Sequence, residues 1–122
     1  SDTEDVVLNT PTDYGNSYPI GQCTWGVKEM APWASNWWGN ANTWAINAGA
    51  QGYATGNVPV PGAIAVWDGG EYGHVAYVTD VQSDSSIQVL EANYNRKKQI
   101  NNYRGYFNPN EFMGGVTYIY PN

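Results

Sequence analysis

Two residue types capable of acyl-transfer chemistry occur once each in this sequence, as Cys23 and His74. A thiol attacks as its thiolate. The N–H groups and dipole at a helix N-terminus favour that form, and a neighbouring imidazolium favours it further. Residues 21–31 suit a short helix that Pro32 would stop, so Cys23 falls in its first turn. Gly21 allows a sharp entry into that turn, leaving the Cys23 N–H to hold a developing oxyanion. The side-chain amide of Gln22 is either a second oxyanion donor or an ordinary surface amide. A lone cysteine can also be a buried hydrophobe; its place at a helix start points instead to a nucleophile.

His74 opens a strand next to Gly73, where a loop would expose it. Residues 74–80 and 86–93 should pair as a hairpin closed near Ser83-Asp84. If Asp80 pairs with Ile87, Ala76 faces Glu91 and His74 faces Asn93. A slip of two residues sets His74 opposite Glu91. Both registers keep parity, so His74, Glu91 and Asn93 share one sheet face within side-chain reach. A carboxylate beside the only histidine can fix its tautomer and orientation, as a catalytic imidazole requires.

The elements that must position these groups follow from the rest of the pattern. Residues 41–50 suit a second helix, with Asn40 as N-cap and Gly49 or Gly52 as its end. Short runs rich in Val, Ile and Tyr follow at 63–68, 74–80, 86–93 and 116–120, separated by turn residues, with a weaker strand candidate at 103–107. Helices first and strands afterwards imply an α+β domain with N-terminal helices packed on an antiparallel sheet. Residues 1–16 are acidic and turn-rich and read as the end of a linker, leaving 17–122 as the domain. A start at Ser1-Asp2-Thr3, without Met or leader, reads as a trimmed fragment.

The chain has 122 residues, the size of one domain. Aromatics make up 15% and charged residues only 13%, the opposite of a disordered composition. A net charge of −6 and a pI near 4.3 argue against nucleic acid as partner. No apolar run is long enough to span a membrane. Arg96, Lys97, Lys98 and Arg104, four of the five bases, cluster within nine residues. They form either a solvated turn or a rim to the active site, where Arg96 and Arg104 would pair with substrate carboxylates. Trp25, Trp44, Trp67 and Tyr77 are expected in the core. Adjacent Trp37 and Trp38 cannot easily both be buried, so one of them is a candidate to line a substrate groove.

The segments Tyr18-Pro19-Ile20-Gly21-Gln22-Cys23-Thr24-Trp25, Gly73-His74-Val75-Ala76-Tyr77-Val78 and Glu91-Ala92-Asn93-Tyr94 resemble the three signature blocks of the CHAP family, the cysteine, histidine-dependent amidohydrolase/peptidases. Asn102-Tyr103-Arg104-Gly105-Tyr106-Phe107 is similar to secreted streptococcal members that act in cell separation. The likeness covers about residues 16–122. It implies a papain-like α+β fold and cleavage of amide bonds in cell-wall peptides, with peptidoglycan as partner and a secreted or wall-associated location. Carried over by position, Cys23 matches the nucleophile, His74 the base, Glu91 the orienting acid and Asn93 a fourth polar group.

No cofactor is expected. Some phage members of the family bind calcium through several Asp residues just before the Cys; this chain has only Asp13 there, so no metal is expected, and zinc needs more ligands than one Cys and one His. The amide cut is either that between muramic acid and L-alanine or one within the stem peptide. A catalytically idle wall-binding module and an amide-forming cysteine transferase of similar fold are the rival classes. Gram-positive walls are polyanions, so a domain of this charge needs wall affinity from elsewhere, for instance from other domains of a longer chain.

Overall fold

The computed structural model of the protein describes residues 15–122. Asp13 and the acidic stretch 1–14 lie outside the described residues. Helix α1 spans Cys23–Met30, entered through Gly21 at φ 92 and an extended Gln22. Its first intrahelical bond runs from the Gly26 N–H to the Gln22 carbonyl at 3.0 Å, and Gln22 makes no side-chain cap. The helix stops where Pro32 would break it, with buried Lys28 donating from Nζ to the carbonyls of Pro32 and Ala34.

The second helical run divides. A 3-10 turn covers Ala41–Thr43 and α2 covers Trp44–Ala50. Asn40 gives no side-chain cap, contrary to expectation. The Asn42 N–H donates to the Tyr72 carbonyl at 2.8 Å, and Thr43 Oγ1 donates to the Trp38 carbonyl at 2.7 Å. The first of these bonds ties the turn to the strand-entry loop and the second to the segment that precedes it. Of the two expected ends, Gly52 at φ 103 turns the chain away, while Gly49 stays inside the helix.

Among the described residues, β1 (Thr55–Gly56), β2 (Ile64–Trp67), β3 (His74–Ser83), β4 (Ser86–Leu90) and β5 (Val116–Ile119) form one antiparallel sheet in the order β1-β5-β2-β3-β4. The α+β arrangement is thus the expected one, helices first and an antiparallel sheet after. β1 was not anticipated, since two residues carry no alternation to read. The 103–107 candidate is not a strand: Phe107 only bridges Ile87, and Asn101 bridges Glu91.

Both sheet faces are covered. Val27, Ala31, Trp38, Trp44 and Ala48 pack on Ile64, Val66, Val75 and Ile119. On the other face Ala65, Trp67, Ala76, Val78, Ile87, Val89 and Tyr118 meet Phe107, Phe112 and Met113 from the C-terminal segment. Two-sided burial explains why β2 reads Ile-Ala-Val-Trp without alternation. Trp44 and Trp67 are fully buried, whereas Trp25 and Tyr77 pack half-buried at the edge of the helical core.

The β3–β4 hairpin sets the site. Tyr77 pairs with Leu90 and Val78 with Val89, but Asp80 pairs with Gln88, Val81 with Ile87, and Ser83 with Ser86. Thr79 and Gln82 are therefore extra residues in two bulges on β3. The expected Asp80–Ile87 pair is displaced by one bulge. At the other end, Val78–Val89 and Tyr77–Leu90 follow the first of the two expected registers, which carried one residue further sets Ala76 level with Glu91; the strand ends at Leu90 and Asn93, at φ 57, forms no pair with His74.

α1 docks closely on the segment after β4. A Cβ on Gly26 would stand 2.8 Å from the Ala92 Cβ. Gly26→Ala should therefore destabilise the protein by about 1–3 kcal/mol through overpacking, although alanine improves helix propensity by about 1 kcal/mol. Ala92→Gly in the same chain should recover part of the loss, read as the Tm of wild type and the two variants. A Tm for Gly26→Ala at or above wild type would show that this contact does not set the helix position.

Candidate active site

Cys23 is the first residue of α1, His74 the first of β3, and Glu91 the first beyond β4. Gly73 hands the chain to His74 at φ 76, and a Cβ there would meet the Trp67 carbonyl oxygen at 2.6 Å and the Asn42 nitrogen at 2.7 Å. Only glycine fits that crossing. Helix start and strand start thus open into one groove of about 450 Å³, lined by Cys23, His74, Gln22, Asn93, Tyr72 and Met113 among others.

His74 Nε2 and Glu91 Oε1 are 2.9 Å apart, with the histidine side chain 7% exposed and the glutamate fully buried. This leaves Nδ1 as the imidazole nitrogen for Cys23. Burial alone would push the His74 pKa down; hydrogen bonding to Cys23 and Glu91, and their charges, outweigh it and hold the imidazole above its ordinary value. Burial would likewise push Glu91 up, but hydrogen bonds from Arg104 and His74 and their charges hold the carboxyl below the usual range. The His74 ring is 5.8 Å from Trp67 and 5.6 Å from Phe112, centroid to centroid, so it is clamped on its apolar sides.

Arg104 is the principal departure from the sequence reading. Expected at the rim, its side chain is only 8% exposed. It grips Glu91 with two prongs, Nε to Oε2 at 2.9 Å and an Nη to Oε1 at 2.6 Å. Its guanidinium packs 4.0 Å from the ring centroids of both Phe107 and Phe112 and 4.4 Å from that of Tyr94. Arg104 is thus committed to Glu91 and does not line the groove. The sequence held one signal: Arg104 lies among Tyr103, Tyr106 and Phe107, a setting that suits a caged guanidinium better than a solvated turn.

The other basic residues differ among themselves. Arg96 is exposed at φ 66 and does not line the groove. Lys97 stacks over Tyr103. Lys98, one of the expected rim residues, donates to Asn93 Oδ1 at 3.1 Å, and Asn93 Nδ2 donates to Gln22 Oε1 at 3.4 Å. Asn93 takes a left-handed φ of 57, which asparagine tolerates better than most residues. Gln22 is exposed on the groove wall, with its NH2 left as the donor end.

The expectation for the paired tryptophans needs correction at Trp38. It is 2% exposed, packed edge-on against Trp33, Trp44 and Tyr53, with its indole N–H donating to Gln51 at 2.7 Å. It is core. Trp37 is 69% exposed but stands apart from the groove lining. The groove also uses Tyr72, Thr24, Asn40, Ala41 and Met113, none of which the sequence assigned to the site. Among the described residues, no cluster of three or more His, Cys, Asp or Glu side chains is arranged to hold a metal.

The sequence pattern of the CHAP domain family matches residues 13–93. The chain belongs to this family. A Streptococcus mutans serotype c protein is 57% identical to this CHAP chain over 109 residues, covering 88% of it and 52% of the relative. The N-acetylmuramoyl-L-alanine amidase sle1 of Staphylococcus aureus strain MRSA252 is 44% identical over 101 residues, covering 79% of this chain and 30% of that protein. The 2.15 Å crystal structure of an N-acetylmuramoyl-L-alanine amidase from Staphylococcus aureus superposes with a TM-score of 0.74 at 30% identity, over 90% of this chain and 34% of that one. This CHAP chain therefore spans about half the length of its streptococcal relative and about a third of the staphylococcal amidases.

His74 is the only histidine, so its ring resonance reports the site without overlap. Glu91→Gln keeps the shape but removes the charge that favours imidazolium. Its NMR titration midpoint should move to lower pH than in wild type. A midpoint that stays in place would mean that His74 does not sense the Glu91 charge.

Proposed function

We propose that this CHAP domain is a cysteine-dependent hydrolase of peptidoglycan that cleaves an amide bond of the wall peptide. The observation that carries the reading is the Cys23–His74–Glu91 series ending in an open groove, with the imidazole held between thiol and carboxylate. Family membership and the likeness to staphylococcal amidases support it. Peptidoglycan lies outside the cell membrane, so the reading places the enzyme among exported, wall-acting proteins.

The reaction runs in two steps. The Cys23 thiolate attacks the amide carbonyl and a C–S bond forms. The carbonyl oxygen takes negative charge at the first-turn N–H of α1, with the Gln22 amide as second donor. His74, as imidazolium, gives its Nδ1 proton to the leaving nitrogen as the C–N bond breaks, leaving a thioester. Neutral His74 then takes a proton from water. The hydroxide formed attacks the thioester, the C–S bond breaks, and the acid leaves with the thiolate restored. Glu91 holds Nε2 throughout. Asn93, tied to Gln22 and Lys98, braces the oxyanion side. No step calls for a cofactor.

Two variants test the assignment. Cys23→Ala should keep the wild-type fold by circular dichroism and lose wall lysis entirely; lysis surviving there would sink the mechanism. Glu91→Gln should lower the rate roughly a hundredfold, the size of a lost acid–base partner. Mass spectrometry of fragments from digested wall identifies the bond, and adding an amine acceptor separates hydrolysis from amide transfer.

Charge sets a separate expectation. At −6 the domain should be repelled by a polyanionic Gram-positive wall, so wall affinity would come from further domains, for which the greater length of the relatives leaves room. The isolated domain should bind whole walls weakly at low salt and better at about 0.15 M, where the Debye length shrinks to about 8 Å. Soluble fragments should be cut well throughout. Tight binding of intact walls at low salt would refute the repulsion argument.

A further inference from the structure

We propose that Arg104 is a positioning residue for this chemistry, so that the catalytic machinery extends into the C-terminal segment beyond the part of the chain that matches the family pattern. The inference rests on the hydrolase reading above. The matched segment ends at Asn93, and Arg104 lies well past it. Yet Arg104 supplies both guanidinium prongs to the carboxylate that orients His74.

The delivery of that side chain is built into the backbone. Asn101 exchanges two backbone hydrogen bonds with Glu91, at 3.0 and 3.1 Å, and Phe107 exchanges two with Ile87, both at 3.0 Å. The short loop 101–107 is thereby pinned at one end to β4 and at the other to Glu91 just beyond it. Gly105 turns it at φ 65, and its N–H is held by Asn102 Oδ1 at 2.9 Å. A loop fixed in this way offers its arginine in one place only. Four aromatic rings then surround the guanidinium: Phe107, Phe112, Tyr94 and, at 5.5 Å, Trp67. Trp67 and Phe112 are also the rings that flank His74, so one aromatic cage positions both groups that touch Glu91.

The arrangement does two things for Glu91. It keeps a fully buried carboxyl ionised, since a carboxylate without partners at that depth would take up a proton. It also fixes the rotamer, because a fork bound through two nitrogens permits only a narrow range of carboxylate planes. Lysine could restore the charge but not the fork or the stacking.

The test uses Arg104→Met and Arg104→Lys, alone and combined with Glu91→Gln. Activity is read on soluble wall fragments. In the Cys23→Ala background the Glu91 carboxyl carbon is followed by NMR titration. Arg104→Met should lower kcat by roughly ten- to a hundredfold, the range typical of partners that orient a ligand from behind, with KM little changed. Its Glu91 midpoint should move to higher pH. Arg104→Lys should be intermediate in kcat and closer to wild type in the titration. Because Arg104 acts through Glu91, the Arg104→Met/Glu91→Gln protein should be no slower than Glu91→Gln alone. Additive losses in the double variant, or an unmoved kcat and Glu91 midpoint in a folded Arg104→Met protein, would overturn the inference. Should Arg104→Met fail to fold, a wild-type kcat and midpoint in Arg104→Lys would refute the need for the fork. The titration needs no activity, so it stands even if the hydrolase reading fails; an active wild type matched by both variants would remove the positioning role alone.

Discussion

A carboxylate with no exposed surface sits at the centre of this protein, and the rest of the site is arranged around the need to keep it charged. Taking an unpaired carboxylate out of water costs several kcal/mol even after relaxation. Glu91 meets that cost with three charge-assisted contacts: two prongs from Arg104 and the ring of His74. The contacts are interdependent. Arg104 is tolerable in an apolar cage because it is paired, and His74 is held up in pKa although burial opposes it. Removing any one leaves a buried charge or donor exposed to an apolar wall. The aromatic excess of the sequence here acquires a local purpose. Trp67 and Phe112 exclude water from the pair and set its plane, while the groove side, at Cys23 and Asn93, remains open.

The pairing of β3 with β4 shows how far strand parity carries. Each of the bulges at Thr79 and Gln82 is a one-residue slip, which by itself would turn every later side chain to the opposite face. Two slips restore parity. A reading based on parity therefore places His74 and Glu91 on one face, as their 2.9 Å contact requires, although it misses both bulges and misassigns the partner of Asp80; Asn93, past the strand end at φ 57, turns instead toward Gln22 and Lys98. The same arithmetic explains why the His74–Glu91 contact is diagonal: with Ala76 level with Glu91, the imidazole must reach along the strand, and the small Ala76 side chain leaves it room.

The helix that carries Cys23 and the strand that carries His74 were legible because glycine, proline and hydrophobic period mark their ends. The identity of Cys23 and His74 as the only residues of their kind made the candidate pair easy to select. Arg104 was misread for the opposite reason. Lysine and arginine on an irregular segment look alike in sequence whether solvated or buried. What distinguishes them is the tertiary placement of the rings: the neighbouring Phe107 is a local hint, but Phe112 and Tyr94 reach the guanidinium only through the fold. Trp37 and Trp38 pose the same problem in miniature. Steric reasoning disfavours burying both, but only the packing of Trp33, Trp44 and Tyr53 decides that Trp38 is the buried one. The groove lining was least legible of all, because Asn40, Ala41 and Met113 are unremarkable types brought together by loops far apart in the chain.

These loops also divide the labour between the two sides of the sheet. The helical face supplies the thiol: α1 points its first turn at the groove and is located by the close approach of Gly26 to Ala92. The opposite face supplies charge and orientation through Glu91, Arg104 and the aromatic rings. His74 joins them because it stands at the end of β3, where a side chain based on one face can reach around the strand start to Cys23. Gly73 makes this reach possible, since any larger residue there would collide with the Trp67 carbonyl and the Asn42 backbone and push the strand end away. The site is thus assembled at a sheet corner. A histidine further along β3, level with Val78, would see only one of the two faces and could hold the carboxylate or serve the thiol, but not both.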